Sequence, residues 1–392
     1  MKKLLAMILV FVMMFALVAC GSDAEDTTDD TTYMVALICD HSGINDQSFN
    51  QTTWEACQEF AKSTGANVKY FKPVTSDTPS RVASAELAIA EGYEIVVMPG
   101  YAFAGAVVEL TANYPDTKFI ALDMSIGDLL EAGISRKGEV YDYNPANWTL
   151  SDYVYMDNLY CAVYQEEISG YMAGYAAVKL GYTSLGFLGG MAVPAVQRFG
   201  YGFVQGADAA ATELGIEASM KYAYGNQFYG DADLTAVMDT WYASGTEVVF
   251  ACGGSIWESA AESAVKYGGK VIGVDTDQSP VINSRYGDGL TVTSATKGLG
   301  PTTVDALTDI LVNGKWSDYA GKIVTLGLIS EDPYANYVQI APTTQFEEGK
   351  FSEADYAELV AAILNGTVQV SNDISTEPAT QTMNVSWLGT LQ

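Results

Sequence analysis

Residues 34 to 50 read MVALICDHSGINDQSFN. The first six, Met34–Cys39, form an unbroken apolar run. A short run of this kind suits a strand covered on both faces of a parallel sheet. A polar loop follows, and the residue pattern then predicts a helix over Ser48–Thr64, capped by Ser48 or Asp46. Ligands of open α/β sheets sit beyond the carboxyl ends of the strands. The loop between this strand and helix is therefore the first place to look for a site. Asp40, Asn45 and Asn50 offer donors and acceptors, Asp46 a carboxylate and Phe49 an aromatic face. Taken alone, the loop fits a capped turn with Phe49 in the core equally well.

The same alternation continues along the chain. Apolar strand candidates are Asn67–Phe71, Ile95–Met98, Lys118–Leu122, Leu185–Leu188, Val248–Ala251 and Lys270–Val274. Between them lie helix candidates at Ser80–Glu91, Gly105–Asn113, Glu166–Lys179, Gly200–Leu214, Ala232–Ser244 and Trp257–Lys266. Such β-α alternation predicts an α/β fold of mostly parallel sheets flanked by helices. The polar, aromatic stretch 125–157 interrupts the series and is expected to be an inserted excursion near a hinge. A second series starts near Asn158, and two similar halves predict two lobes with a ligand cleft between them. The expected division is 33–124 plus about 276–318 for the first lobe, and about 158–275 plus about 319–392 for the second. In the tail, Ile323–Ile329 and Tyr337–Ile340 look like strands and Ser352–Asn365 like a capped helix. Residues 367–392 alternate like a strand lying on the surface.

The chain has 392 residues, one histidine, five cysteines and a formal net charge of −29. So acidic a surface argues against nucleic acid, whose phosphates need basic neutralisation. Lys2 and Lys3 precede sixteen apolar residues, Leu4–Ala19, and then Cys20. A basic start and a short apolar run read as a secretory signal, residues 1–19. Ala19-Cys20 resembles a lipobox, which implies cleavage before Cys20, lipidation of its sulfur and anchoring to the outer face of a membrane. Residues 20–32 are polar and acidic and read as a flexible tether. Cys39, Cys161 and Cys252 lie in or beside apolar stretches and read as buried free thiols.

An ordered set of motifs resembles the basic membrane protein family of substrate-binding lipoproteins. The set opens with the pattern from Asp40 to Asn50 and continues through Asn113–Asp123 and the glycine-spaced helix EEISGYMAGYAA from Glu166. It ends with Gly186–Gly190, Gly202, Gly206, Val249–Gly254, Ile272–Gln278, Thr293-Ser294 and Lys297. The resemblance implies a two-lobed type I periplasmic-binding-protein fold, a nucleoside ligand, delivery to an ABC permease and no cofactor. A monomer is expected. It further implies that Asp40 and Asn45 bond the base and that Phe49 stacks on it. Phe250 is the first candidate to cover the other face, with Trp257 beside it. Asp123, Asp275 and Lys297 would bind the ribose hydroxyls, and Gly254 would give backbone access. Read as residues alone, Asp123 and Asp275 could instead simply cap turns, and Lys297 could be a solvated helix-start lysine.

An enzyme is the main rival. A Ser-His-Asp triad would have to use His41, and no G-x-S-x-G elbow is present. No Cys/His cluster has zinc spacing and no EF-hand loop appears. A sugar or flavin receptor and a tethered sensor are the other readings.

Overall fold

The computed structural model describes residues 32–40 and 43–391. The expected signal, Cys20, most of the tether and His41 lie outside the described residues. Thirteen described strands follow one another as β1 (Met34–Ile38), β2 (Asn67–Phe71), β3 (Ile95–Pro99), β4 (Lys118–Leu122), β5 (Leu159–Tyr164), β6 (Ser184–Gly189), β7 (Ala218–Tyr224), β8 (Val248–Cys252), β9 (Lys270–Asp275), β10 (Thr291–Lys297), β11 (Lys322–Leu326), β12 (Val338–Ile340) and β13 (Met383–Thr390). The helices that matter below are α1 (Phe49–Thr64), α2 (Thr78–Ala90), α3 (Ala104–Asn113), α4 (Ile126–Arg136), α5 (Glu166–Lys179), α6 (Pro194–Leu214), α7 (Ala232–Ala243), α8 (Trp257–Tyr267), α9 (Ser279–Tyr286) and α10 (Leu299–Leu307).

The strands form two sheets. One has the order β11-β5-β4-β3-β1-β2, the other β12-β10-β9-β8-β6-β7-β13. All pairings are parallel except β10 with β12. Every residue of β3 and β8 is buried, which explains their continuous apolar sequences. The expected two-lobed α/β fold is present.

The division into lobes differs from the expected one. β5 pairs with β4 and β11 in the first sheet, and β10 pairs with β9 and β12 in the second. By sheet membership the first lobe takes 33–164 and 299–326, and the second takes 166–297 and 338–391. The chain thus crosses three times, at Gln165, at Gly298 and through 327–337. These crossings bond to one another. Gln165 N donates to Leu326 O at 2.9 Å and Gly298 N to Tyr337 O at 2.7 Å. Two sequence features concealed this. β5 follows the polar excursion directly, so a new strand looked like a new lobe. The sequence of β10, TVTSATK, is polar, yet every residue of it is buried.

The excursion is also corrected. Ser125 and Asp128 make a capping box that starts α4, an ordinary helix. Only the part after Lys137 is irregular, and it packs along α4 rather than at the crossings. Trp148 meets the rings of Tyr141 and Tyr153 in T-shaped, edge-to-face contacts there, and Tyr143 Oη donates to Glu131 of the helix.

The second lobe is built on α5 and α6, which cross at very short range. A Cβ on Gly170 or Gly174 would strike the carbonyl oxygen of Phe199 or Phe203, and one on Gly202 or Gly206 that of Glu167 or Tyr171. The glycines of EEISGYMAGYAA therefore permit backbone contact. The tail ends in β13, which pairs with β7 at the sheet edge. Asp208 of α6 holds it by accepting from the backbone N–H groups of Gln381, Thr382 and Met383 at 2.8–2.9 Å. The four described cysteines, Cys57 included, are buried free thiols.

Candidate functional site

Between the lobes, at the carboxyl ends of the strands, lies a cavity of about 930 Å³. The first lobe contributes the loop after β1, with Asp40, Asn45, Asp46 and Phe49. It also contributes Asp123 after β4. The second lobe contributes Gly254, Asp275 and Lys297. The structure thus gathers eight of the eleven sequence-derived site residues around one space.

Lys297 is the electrostatic centre. Its Nζ lies 3.0 Å from Asp123, 3.5 Å from Glu166 and 3.6 Å from Asp275. It also sits 4.4 Å from the centre of the Phe49 ring. Burial works to lower the Lys297 pKa, but Asp123, Asp275 and Glu166 outweigh it and hold the ammonium above its usual value. It is therefore no solvated helix-start lysine. Arg198 Nε pairs with Glu166 at 2.6 Å and lies 4.0 Å from Glu167. Two cations thus face four buried carboxylates. Burial raises Asp275, and Lys297 and Ser48 oppose that shift. Ser48 Oγ donates to Asp275 Oδ2 at 2.8 Å and so ties the first lobe to the second. Gln278, fully buried, donates from Nε2 to Gln47 O across the same boundary and to Gly254 O within its own lobe.

The two strand-ending aspartates share a backbone oddity. Asp123 has φ 56° and Asp275 φ 66°, in the left-handed region that side chains other than glycine rarely adopt. Gln47 and Asn226, also in that region, line the same cavity. Such conformations cost on the order of 1–3 kcal/mol each and concentrate at functional sites. The strained turn lets each carboxylate fold back over its strand end toward Lys297.

Three sequence-derived residues do not line the cavity. Asn50 is buried behind the loop, where its Oδ1 accepts from Asp40 N at 2.8 Å and its Nδ2 donates to Asp46 at 2.7 Å. Its role is to shape the loop. Asp46, not Ser48, caps α1, accepting from the N–H groups of Ser48, Asn50 and Gln51. Phe250 is fully buried beneath the site, edge-on to Phe187 and Phe199. It lies mid-strand, and only residues at strand ends reach the rim. Trp257 is likewise fully buried, in the core of α7 to α9. The aromatic residues that the second lobe does bring to the cavity are Phe199, Phe228 and Tyr229. Phe228 explains the glycine turn. A Cβ on Gly190 or Gly253 would strike its ring, and one on Gly254 its carbonyl oxygen. The loop carrying Phe228 follows β7, so the strand-end rule would have found it had β7 been recognised.

Burial raises the Glu166 carboxyl to about 7, against the opposing charges of Arg198 and Lys297. A carboxyl raised on folding favours the folded state fully below its ordinary pKa of about 4.5, and that contribution is lost as pH rises through about 7. Glu166→Gln removes this titration. Between pH 4.5 and 7 the wild type is expected to lose melting temperature relative to the variant, by several degrees in thermal unfolding. A pH-independent difference would show that Glu166 stays ionised throughout.

The family model of PnrA-like substrate-binding proteins of ABC transporters, Bmp, matches residues 33–369. The chain belongs to this family. Bmp proteins are substrate-binding components rather than enzymes. The ABC transporter nucleoside-binding protein BmpA of Lactococcus lactis is 28% identical over 333 residues, covering 80% of this chain and 84% of that one. Basic membrane protein B of Borreliella afzelii is 26% identical, covering 82% and 86%. An uncharacterized lipoprotein of Pyrococcus abyssi is 24% identical, covering 93% and 85%. Among solved structures, an ABC solute-binding protein of Conexibacter woesei superposes with a TM-score of 0.61 at 19% identity, over 86% of this chain and 99% of that one. One from Aeropyrum pernix gives 0.60 at 18%, over 87% and 88%. These two likenesses carry the fold. Within this Bmp chain, Glu166, Arg198, Gln278 and Phe228 are the site residues that sequence reasoning passed over. Among the described residues no cluster of His, Cys, Asp and Glu has the arrangement of a metal site.

Proposed function

We propose that this Bmp protein binds a nucleoside, most simply a purine nucleoside, between its lobes and delivers it to a membrane permease. The observation that carries the reading is Lys297 held between Asp123 and Asp275 beside the ring of Phe49. Carboxylates and an ammonium at this spacing suit vicinal hydroxyls, and flat aromatic faces suit a base. Phe49 and Phe228 come from opposite lobes. The Lactococcus relative, a nucleoside-binding protein by name, supports the same class. Ligand touching both lobes favours the closed arrangement through its differential affinity, and the permease reads that shape. Export by the N-terminal signal and a lipid on Cys20 hold the protein at the outer face of the membrane. The relative from Pyrococcus, described as a lipoprotein, supports this location.

Isothermal titration against nucleosides, free ribose and riboflavin tests the assignment. Nucleosides are expected to bind at micromolar concentration or tighter and to be recovered unchanged. Binding of ribose alone would overturn the reading. Riboflavin is the second reading, because about 930 Å³ is near the top of the range for small-molecule sites. Tight riboflavin binding with no nucleoside binding would establish it instead.

A further inference from the structure

Gln278 ends the turn that joins β9 to α9 in the second lobe. It is fully buried and, unlike its neighbour Asp275, does not line the cavity. Its amide is nonetheless fully engaged. Oε1 accepts from Val274 N at 3.0 Å, which fixes the other end of the amide as the donor. Nε2 donates to Gly254 O at 3.2 Å within the lobe and to Gln47 O at 3.3 Å in the first lobe. The backbone N–H donates to Ser294 Oγ at 3.1 Å and holds the residue against β10. Nε2 thus directs one N–H to each lobe.

Two other contacts across the boundary differ in kind. Ser48 Oγ donates to Asp275 Oδ2 at 2.8 Å, and Lys297 Nζ lies 3.0 Å from Asp123. All four of those residues line the cavity, so a ligand on that wall competes with their contacts. Gln278 stands outside the wall, and its bonds survive when a ligand enters. Its partner Gln47 is held at φ 55°. Such a backbone persists only where the surroundings over-determine it. Here Gln47 N donates to Gln51 Oε1 at 3.2 Å on one side and Gln47 O accepts from Gln278 on the other.

We propose that Gln278 is a positioning residue for ligand capture. It latches the lobes together through Gln47 O without touching the ligand. The free protein therefore already samples the closed form, and a bound ligand stays longer. The inference rests on the lobe-closure part of the reading above and is independent of which ligand binds. Its ground is an asymmetry between the two states. When the lobes part, Gln278 Nε2 and Gln47 O lose each other and water replaces both partners. When they close, no water reaches Gln278. Removing the amide leaves Gln47 O short of a donor in the closed state alone, and a buried group without its partner is costly. Val274 N loses its partner in both states. That part of the damage lowers overall stability without moving the closing equilibrium.

Gln278→Met keeps the length of the side chain and removes the donor. Spin labels at Leu87→Cys of α2 and Val265→Cys of α8, two exposed positions on different lobes, report the interlobe distance of the full chain by pulsed electron paramagnetic resonance. The four described native cysteines are buried and escape labelling. Free wild type is expected to show an open and a closed population. The substitution is expected to move their ratio about three- to tenfold toward open, the worth of one hydrogen bond. Stopped-flow measurement with inosine is expected to show dissociation faster by about the same factor and association within about twofold, because ligand enters the open form, where the latch is not made. Gln278→Asn, about one methylene too short to reach Gln47, is expected to act in the same direction, and melting temperature checks that each variant folds. A merely structural role would lower the melting temperature and leave the populations and the dissociation rate unmoved. A free wild type that is wholly open, or a population ratio that neither substitution moves, would overturn the inference. Failure of inosine to bind the wild type would overturn the nucleoside reading, and the distance measurement would still decide the latch.

Discussion

Lys297→Met is expected to lower the unfolding free energy at pH 7 by about 3–5 kcal/mol, the usual cost of removing one partner of a buried ion pair. The position makes this one of the most damaging single changes in the chain. Lys297 is 5% exposed, and three carboxylates lie within 3.6 Å of its Nζ. Methionine fills much of the lysine's volume, so the loss is of charge rather than of packing. Arg198 then faces Asp123, Asp275, Glu166 and Glu167 as the only cation of the cluster. Carboxylates freed of a neighbouring cation rise in pKa and take up protons on folding. By linkage the variant must therefore regain stability as pH falls toward 4, where the wild type gains less. Urea unfolding of both proteins at pH 4.5 and pH 7.5 measures this directly. A deficit that is the same at both values would show that the damage is steric and not electrostatic.

Gly206→Val is expected to cost about 3 kcal/mol or more and to depress the melting temperature by on the order of 5–10 °C. Its Cβ would strike the backbone carbonyl of Tyr171, which cannot rotate away as a side chain would. Relief requires α5 and α6 to separate, and Gly170, Gly174 and Gly202 hold that same contact at short range. Glu166 and Glu167 begin α5, and Phe199 lies on α6, so separation also shifts the site. Ala209→Val, at a half-buried position of the same helix, is the control for the helix propensity of valine. Thermal unfolding of the two variants side by side checks the expectation. Equal melting temperatures would mean that the helices part without penalty.

Much of the candidate site is visible in the sequence because its residues sit where local rules put them. Asp40 and Phe49 flank the first βα turn, and Asp123 and Asp275 end apolar strands. Those are the positions from which a side chain can reach a cleft. The cap at Asp46 and the box at Ser125 likewise depend on neighbours a few residues away. Phe250 shows the limit of such rules. It belongs to the right strand but stands two residues short of the end, so the core claims it. Phe228 escaped because β7, the strand before its loop, went unrecognised, and Arg81 because it lines the cavity from within a helix, where the strand-end rule does not look.

The sequence by itself determined the strands and helices of most of the chain, the α/β class, the loops that face the cleft and the family. Each of these follows from periodicity, turn chemistry or an ordered set of short motifs. Only the tertiary structure decided which lobe owns β5 and β10, and that the chain crosses three times. It alone brought Lys297 to Asp123 and seated Phe228 on its glycine turn. Pairing of strand edges and convergence of charges join residues far apart in the chain. Those contacts are selected by packing and desolvation over the whole molecule, and a local pattern carries no record of them.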